Sequence, residues 1–412
     1  MGRIAGRFGR VEPRRHARDL VLGLMSDLPG KNCWTIAEHA GDATPDGLQH
    51  LLARAVWDAD GVRDDLRDYV TGHLGDEDAV LVVDETGDLK KGTGTVAVQR
   101  QYTGTAGRIE NAQVAVYLTY ATRAGHALID RALYLPKSWA GDSGRRAAAG
   151  VPAEVKFATK PALARGMITR ALDGGAGAGW VAGDEVYGAD PGLRGELEDR
   201  RTGYVLAVAC SHRVRAAAGS QRADAIAKSL PRHAWQRLSA GPGSKGPRFH
   251  DWAWITIDAG AAPAGQRWLL IRRTASTGEL AYFRCYAAAP VPLQALVRVA
   301  GRRWTVEESF QASKGLTGLD QHQVRRWNSW QRWTVLAMLA FAFLAVLAAT
   351  ERNLQPAPDG MIPLTCNEIH RLFNILITEP IRDLRHPLRW SAWRRRQQHR
   401  ARTSHYQRRG AT

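Results

Sequence analysis

The first 75 residues show apolar positions that recur with the period of an α-helix. Apolar residues return every three or four positions in Ala17–Leu28 and Asp46–Ala59. The break Gly41–Pro45 separates the second stretch from a short helical segment, Ile36–Ala40. We therefore expect an all-α N-terminal domain over residues 1–75. Two short helices joined by a turn are typical both of a DNA-binding helix-turn-helix and of an ordinary small bundle, so both interpretations stay open.

After residue 79 the period changes to that of β-strands. Short runs rich in β-branched residues alternate with helical stretches. The predicted order is three strands, a helix, a strand, a charged helix and a strand: Val80–Val83, Val114–Thr122, Ala127–Leu135, Lys160–Leu172, Trp180–Gly183, 190–201 and Tyr204–Ala209. This order predicts a mixed α/β sheet with helices packed against it.

The chain beyond this sheet has three further features. Residues 212–290 contain three strand-like runs and a Gly/Pro-rich break, which indicates a β-rich insertion. A long helical pattern follows over Leu293–Gly315. The segment Trp333–Thr350 has eighteen residues without a charge, close to the lower limit for a membrane span. It is rich in Ala and stands alone, so we expect a buried core helix and no membrane.

The charge changes the picture more than the overall composition does. The chain has 412 residues, of which 44% are hydrophobic, and this excludes wholesale disorder and collagen-like repeats. Its 57 Lys+Arg against 40 Asp+Glu give a net charge of +17, which indicates a phosphate-rich partner. The four Cys are widely spaced, so a disulfide framework or Cys zinc site is disfavoured and a reducing cytoplasm is expected. No signal peptide is apparent.

The C-terminal tail is strongly basic. Ile381–Gly410 contains ten Arg and one Asp, with the run Arg394, Arg395 and Arg396 between tryptophans and a tyrosine. Such a tail is typical of a flexible contact with the DNA backbone. The alternative is a solvated tail with no partner.

Three carboxylates are candidates for chemistry. Asp84 is predicted at the C-terminal end of the first strand, Asp184 at the end of the fourth, and Glu307 in the helix after the insertion. Carboxylates that converge repel each other unless a cation neutralises them, and oxygen ligands without His or Cys indicate Mg²⁺ or Mn²⁺. Each residue alone has an ordinary interpretation, because an Asp after a strand is usually a turn or cap residue and Glu307-Glu308 suits a solvated helix face.

The neighbours of Glu307 point in the same direction. Arg303 and Lys314 stand at helical offsets of 4 and 7, so all three residues are predicted on one face.

Gly92-Thr-Gly94 does not complete a dinucleotide or phosphate-loop pattern, so no nucleotide cofactor is expected. The thirteen His show no H-E-x-x-H spacing, which disfavours zinc hydrolysis.

The string Arg303-Trp-Thr-Val-Glu-Glu-Ser-Phe-Gln-Ala-Ser-Lys314 resembles the Tyr-x2-Arg-x3-Glu-x6-Lys signature of bacterial insertion-sequence DDE transposases. The branch that it resembles most is the insertion-sequence-701 type, over roughly Arg15–Leu347. The signature Tyr falls on Ala300, which removes no metal ligand. The match continues upstream in Val83-Asp-Glu-Thr86 with Lys90-Lys91, Gln99-Arg-Gln-Tyr102, Gly107-Arg-Ile-Glu-Asn111 and Trp180-Val-Ala-Gly-Asp184.

The resemblance implies an RNase H-like catalytic domain in which Asp84, Asp184 and Glu307 hold two Mg²⁺ or Mn²⁺ ions. It also implies that Arg303 and Lys314 hold phosphates of the transposon end. Trp304 is then a candidate for stacking on an unpaired base, with a packed core position as the alternative. Glu308 could replace Glu307 as the third carboxylate, but the spacing favours Glu307.

The expected organisation is a helical DNA-binding domain over 1–75, a catalytic domain over 76–350, and a helical segment with the basic tail over 351–412. The expected function is metal-dependent cleavage of double-stranded DNA and strand transfer at element ends, by a homodimer on DNA. The expected location is the cytoplasm, at the nucleoid when DNA is bound. Two alternatives remain: a catalytically idle DNA-binding protein derived from a transposase, and a nuclease of the same fold that cuts without joining.

Overall fold

A computed structural model describes residues 1–378 apart from 218, 244–245, 261–262, 356 and 358–360, together with tail residues 385–386, 389–390, 393, 396–397 and 400. The α-helices are α1 Val11–Met25, α2 Cys33–His39, α3 Asp46–Ala53, α4 Ala59–Leu74, α5 Lys137–Ala140, α6 Ser143–Ala149, α7 Lys160–Asp173, α8 Glu185–Gly188, α9 Pro191–Asp199, α10 Ala223–Ser229, α11 Leu293–Arg302, α12 Trp304–Thr317, α13 Trp327–Leu354 and α14 Cys366–Leu376. The strands are β1 Val80–Leu89, β2 Gln99–Thr103, β3 Arg108–Ala121, β4 His126–Leu133, β5 Trp180–Gly183, β6 Gly203–Val208, β7 Arg213–Ala216, β8 Gly219–Arg222, β9 Gln236–Gly243, β10 Gly246–Thr256, β11 Gln266–Arg273 and β12 Leu280–Ala287.

The chain divides into two compact units. The first combines Met1–Asp65 with Ala312–Thr412, and the second is Leu66–Gln311. These boundaries differ from the predicted division at 75/76 and 350/351. The difference has a physical reason, because the apolar helix expected in the catalytic domain packs instead against the N-terminal helices α1 and α3.

In the first unit, α13 is the central helix, with α1, α3 and α14 packed against it. Among the described residues it is the one helix long and apolar enough to cross a membrane, and most of its apolar stretch is buried within the protein. Arg332 is a buried charge on this helix, and it donates to the carbonyl oxygens of Leu51 at 3.2 Å and Leu52 at 3.3 Å. A helix that is apolar on all sides is stable in water only when it is enclosed in this way.

The second unit is built on a ten-stranded mixed sheet. The strand order is β2-β3-β1-β5-β6-β12-β11-β10-β9, and β4 pairs with the other side of β3. Strands β1, β5 and β6 run parallel, while β1, β3 and β4 form antiparallel pairs. The α/β class is therefore confirmed. The predicted β-rich insertion does not stand apart from this sheet, because β12 pairs with β6 and β9–β12 extend the same sheet.

Two predicted elements have different bounds from those expected. Strand β1 continues through Asp84 to Leu89, because β3 pairs with it along its whole length, so Asp84 lies within the strand and not at its end. The polar run after Val83 hid this continuation from the apolar pattern. The predicted helix Leu293–Gly315 is two helices that meet at Arg303, two residues after Gly301.

Candidate active site

Asp84 and Asp184 lie side by side at the centre of the sheet. The parallel pairing of β1 with β5 places Val83 opposite Gly183. Asp84 follows Val83 and Asp184 follows Gly183, so the two Asp residues are neighbours across this strand pair. Adjacent strands are about 4.8 Å apart, which brings the two carboxylates together. The consecutive residues Val80–Val83 of β1 and Val181–Gly183 of β5 are all buried, so both faces of the sheet are covered at this point.

The surroundings of this pair oppose two negative charges. Burial raises the pKa of Asp84 to about 7, the neighbouring charge of Asp184 adds to the rise, and Arg303 acts against it. The pKa of Asp184 is also raised, first by burial and then by the charge of Glu85. Carboxylates whose pKa values are raised by burial and by neighbouring carboxylates are typical of a site that receives a cation or a proton.

Arg303 connects this pair to the predicted catalytic helix. Its guanidinium nitrogens lie 3.7 Å from Asp84 Oδ2 and 3.4 Å from Glu307 Oε1. Arg303 stands between α11 and α12, and Glu307 follows four residues later on the first turn of α12. The three predicted residues Asp84, Arg303 and Glu307 are thus brought together by the fold.

Glu308 is directed to a different partner. Its Oε2 lies 3.4 Å from His126 Nε2, and His126 Nδ1 is 2.7 Å from Ser309 Oγ. This contact with His126 lowers the pKa of Glu308. Of the two candidate glutamates on α12, Glu307 therefore shares Arg303 with Asp84, whereas Glu308 is paired with His126.

The sequence analysis missed three polar residues beside the pair. Glu85 accepts hydrogen bonds of 2.6 Å from both Lys160 Nζ and the Tyr187 hydroxyl. Tyr187 is fully buried, and burial together with the charge of Glu85 raises its pKa well above the ordinary value. Closeness in the sequence could have indicated Glu85, which follows Asp84, and Tyr187, which stands three residues after Asp184. Nothing local marks Lys160, which is 75 residues from Glu85.

The segment after β5 holds Asp184 in a fixed orientation. Asp184 is the N-cap of α8, and its Oδ1 accepts the N–H of Val186 at 2.9 Å. Helix α8 then passes so close to β6 that a Cβ at Gly188 would clash with the carbonyl oxygen of Ala207. A glycine is required there, because any side chain would push α8 and its cap away from the sheet.

The side chains fit a divalent metal in kind and in charge. The donors are all carboxylate oxygens, which Mg²⁺ and Mn²⁺ prefer, and the Asp pair carries excess negative charge that a cation would relieve. Within the described part of the chain, no group of three His, Cys, Asp or Glu side chains stands close enough to hold a metal in the present arrangement. In this arrangement the third predicted carboxylate, Glu307, is in contact with Arg303.

The remaining predicted residues fall in different places. Trp304 is 49% exposed, which excludes the packed core position. Lys314 lies near the end of α12 in the first unit, and Ala300 is half-buried in α11. Arg396 is exposed, whereas Arg394 and Arg395 lie outside the described residues. In the first unit the tail residue Trp390 is fully buried and donates to the Asp42 carbonyl oxygen at 2.8 Å.

Comparison with known proteins identifies the family of this chain. The family model of the DDE superfamily endonucleases matches residues 3–244, more than half of the chain, and the chain belongs to this family. The matched region includes Asp84 and Asp184 and ends before Glu307.

One curated relative and one solved structure extend the comparison. A protein described as a probable transposase for insertion sequence element IS701, from Microchaete diplosiphon, is 30% identical over 200 residues, which are 47% of this chain and 49% of the relative. The resemblance to the insertion-sequence-701 type is thus confirmed over about half the length of that relative. The alignment with the cryo-EM structure of a piggyBac transposase synaptic complex with hairpin DNA covers 90% of this chain and 71% of the chain in that structure, at 11% identity and a TM-score of 0.42.

Proposed function

We propose that this protein is a metal-dependent transposase that cuts DNA at the ends of an insertion sequence and joins those ends to target DNA. The observation that carries the proposal is the pair Asp84 and Asp184, half-buried side by side with raised pKa values at the centre of the sheet. Membership of the DDE endonuclease family supports the same chemistry.

An RNase H-like assignment of the catalytic domain is supported by strand order. The antiparallel strands β4, β3 and β1 are followed by the parallel strands β5 and β6. The first Asp lies on β1 and the second follows β5, so the chain brings both to one region of the sheet. Helix α12, with Glu307, then comes after the β-rich extension, in the order that the sequence resemblance implies.

Asp84, Asp184 and Glu307 would hold two Mg²⁺ or Mn²⁺ ions. Such ions activate a water or a 3′-hydroxyl and stabilise the leaving oxygen in phosphoryl transfer. The role of Arg303 is then to neutralise Asp84 and Glu307 before the metal binds and to contact a DNA phosphate afterwards. Lys160 and Tyr187 hold Glu85 in place through two hydrogen bonds, which keeps a third negative charge beside Asp184.

The partner that we propose is double-stranded DNA, at the element ends and at the target. The net charge of +17 supports a polyanionic partner, because each Lys or Arg that neutralises a phosphate releases a counterion. Trp304, one residue after Arg303, is exposed, which supports a role in stacking on a base. Lys314 and the arginines of the tail would contact the DNA backbone. A homodimer would bring two ends together, at the nucleoid of the cytoplasm.

The test is cleavage and joining of a labelled duplex that carries the DNA flanking the gene, with Mg²⁺ or Mn²⁺ present. We expect the wild type to give joined products and Asp184→Asn to give none. Asn keeps an oxygen that can accept the Val186 N–H, so the cap survives while the negative charge is lost. Glu308→Gln is the matched control, because Glu308 contacts His126 and should be dispensable.

The products separate the alternatives. Nicks or breaks without joined molecules would identify a nuclease that does not transfer strands. Tight binding with no cutting by the wild type, unchanged by Asp84→Ala, would identify an idle DNA-binding protein and overturn the proposal.

A further inference from the structure

The hairpin formed by β2 and the first half of β3 is fastened to the strand that carries Asp84. Strand β5 ends opposite Val83, so β5 leaves the edge of β1 beyond that residue uncovered. Thr105, in the hairpin turn, accepts the N–H of Gly87 at 3.4 Å and donates to its carbonyl oxygen at 3.0 Å. The turn is therefore attached to β1 three residues after Asp84, about 10 Å along the strand.

Close packing makes this attachment firm. A Cβ at Gly87 would clash with Thr103 Oγ1, so the hairpin can lie this close to β1 because the strand has no side chain at that point. Thr103 itself is buried although it is polar. The hairpin is thus a fixed extension of the candidate active site within the same unit.

The outer face of the hairpin is apolar and exposed. Tyr102 and Ile109 stand directly opposite each other on the two strands and are 63% and 58% exposed. Side chains opposite each other on an antiparallel pair contact each other and form one patch. An exposed aromatic side chain next to an aliphatic one, at a site rigidly attached to catalytic residues, suits contact with a partner more than it suits solvent.

Cations surround this patch. Arg100 is exposed two residues before Tyr102, on the same face of β2. Asn111, opposite Arg100, donates to the carbonyl oxygens of Lys90 at 2.6 Å and Gly92 at 3.0 Å, which holds the turn that presents exposed Lys91. Arg108 is also exposed and pairs with Glu110 at 2.8 Å. Lys and Arg outnumber acids here, so the charge complements a polyanion.

We propose that the Tyr102–Ile109 patch binds the DNA directly beside the phosphodiester at the Asp84–Asp184 pair, with the Tyr102 ring stacked on a base unpaired at the element end. This inference rests on the proposed function. Arg100 and Lys91 hold the phosphates on either side of that base. A ring surface recognises every base equally, so the contact positions the end without selecting its sequence.

The first experiment measures affinity for a fluorescent duplex carrying the DNA that flanks the gene, without added divalent metal. We expect Tyr102→Ala to weaken binding about five- to hundredfold, since loss of a base–aromatic stack has effects of this size, and Tyr102→Phe to stay within about twofold. The matched control is Phe249→Ala, which removes an exposed ring from β10 at the far side of the same sheet. Both positions are exposed, so all three variants should fold, and thermal unfolding checks this.

The second experiment locates the contact. A photoreactive phenylalanine analogue at position 102 should crosslink within a few nucleotides of the phosphodiester that the wild type cuts. The same analogue at position 249 should give no crosslink at that place.

The outcomes distinguish the two proposals. If the wild type cuts this DNA while Tyr102→Ala binds as tightly as Phe249→Ala, or position 102 crosslinks far from the cut, the hairpin inference is overturned and the proposed function stands. If the wild type binds without cutting and position 102 still crosslinks at the end, the hairpin contact stands and the catalytic proposal falls. If the wild type does not bind this DNA, both fall.

Discussion

Two sites in the second unit bury carboxylates in opposite ways. Glu198 on α9 and Arg267 on β11 are 8% and 3% exposed, and Arg267 Nη2 lies 2.7 Å from Glu198 Oε2. The Tyr204 hydroxyl donates to the other oxygen of Glu198 at 2.6 Å. One negative charge faces one positive charge, and the polar groups around them are hydrogen-bonded.

The Asp84–Asp184 pair lacks this balance. Two carboxylates lie next to each other with Glu85 beside them, and Arg303 approaches Asp84 no closer than 3.7 Å. The comparison teaches that burial alone does not mark a functional carboxylate. A buried acid with its own cation is balanced within the fold, whereas an acid beside other acids destabilises the fold, and this is the arrangement expected of a site that receives a cation.

The largest expected effect is the loss of activity at the unbalanced site. Asp184→Asn should reduce DNA cleavage at least about a thousandfold, since it removes a negative charge that we propose holds the catalytic metal ion, and should leave the fold intact. Glu198→Gln should leave the cleavage rate per folded molecule unchanged, even if it reduces the fraction of molecules that fold. Cleavage rates measured per folded molecule check both expectations. Equal losses of rate in the two variants would contradict the distinction between the two sites.

The next largest effect is on stability, and it is expected at the balanced site, the Glu198–Arg267 pair. Arg267→Ala leaves Glu198 buried without its cation and should lower the free energy of unfolding by about 3 to 5 kcal/mol. Arg303→Ala, at the other site, should change it by much less, because Arg303 is partly exposed and its contacts are longer. Denaturant unfolding in metal-free buffer makes the comparison, and similar losses for the two arginines would contradict it.

A third effect is a pH dependence confined to the unbalanced site. The pKa of Asp84 is about 7 in the folded chain and near 3.9 when unfolded, so the native state favours the protonated acid. The stability that this provides is present below pH 4 and is lost as pH rises through 7. Asp84→Asn should therefore be more stable than the wild type at pH 9, by about 2 to 4 kcal/mol, with no difference at acid pH. Parallel curves for the two proteins in EDTA would refute this.

The smallest effect is stabilisation by metal. Mg²⁺ or Mn²⁺ at ten times its Kd should raise the free energy of unfolding of the wild type by about 1.4 kcal/mol. Asp84→Asn should show no such rise, because it lacks one of the proposed ligands. Thermal unfolding with and without metal checks this, with Glu308→Gln as the variant that should still respond.

Much of the fold follows from local pattern. The periodicity of apolar residues located strands β3, β4, β5, β6 and β10–β12 and the helices α1, α7 and α9, since buried faces repeat at the period of each structure. Helix α1 and strands β3 and β10 nevertheless begin six residues earlier than predicted. Strand β2 and the second half of β1 escaped because their residues are polar or exposed. Their pairing with β3 holds them in place, and pairing between distant segments leaves no local pattern.

The candidate site divides in the same way. Residue type and spacing singled out Asp84, Asp184, Arg303 and Glu307, because carboxylates after buried strands and the offset of 4 on a helix can be recognised along a chain. Glu85, Lys160 and Tyr187 could not be found so, since 75 and 102 residues separate the partners in their hydrogen bonds. The exposure of Trp304 likewise depends on where α11 ends.

The sequence by itself determined the class of the protein, its charge, and the residues that can carry chemistry, because these are properties of composition and short-range order. Tertiary structure alone decided which acids are balanced and which are not, since burial and neighbouring charge depend on segments far apart in the chain. It also decided that the apolar helix α13 packs with the N-terminal helices, and that the β2–β3 hairpin is attached beside Asp84. Each of these depends on which surfaces exclude water together, and only the folded chain specifies that.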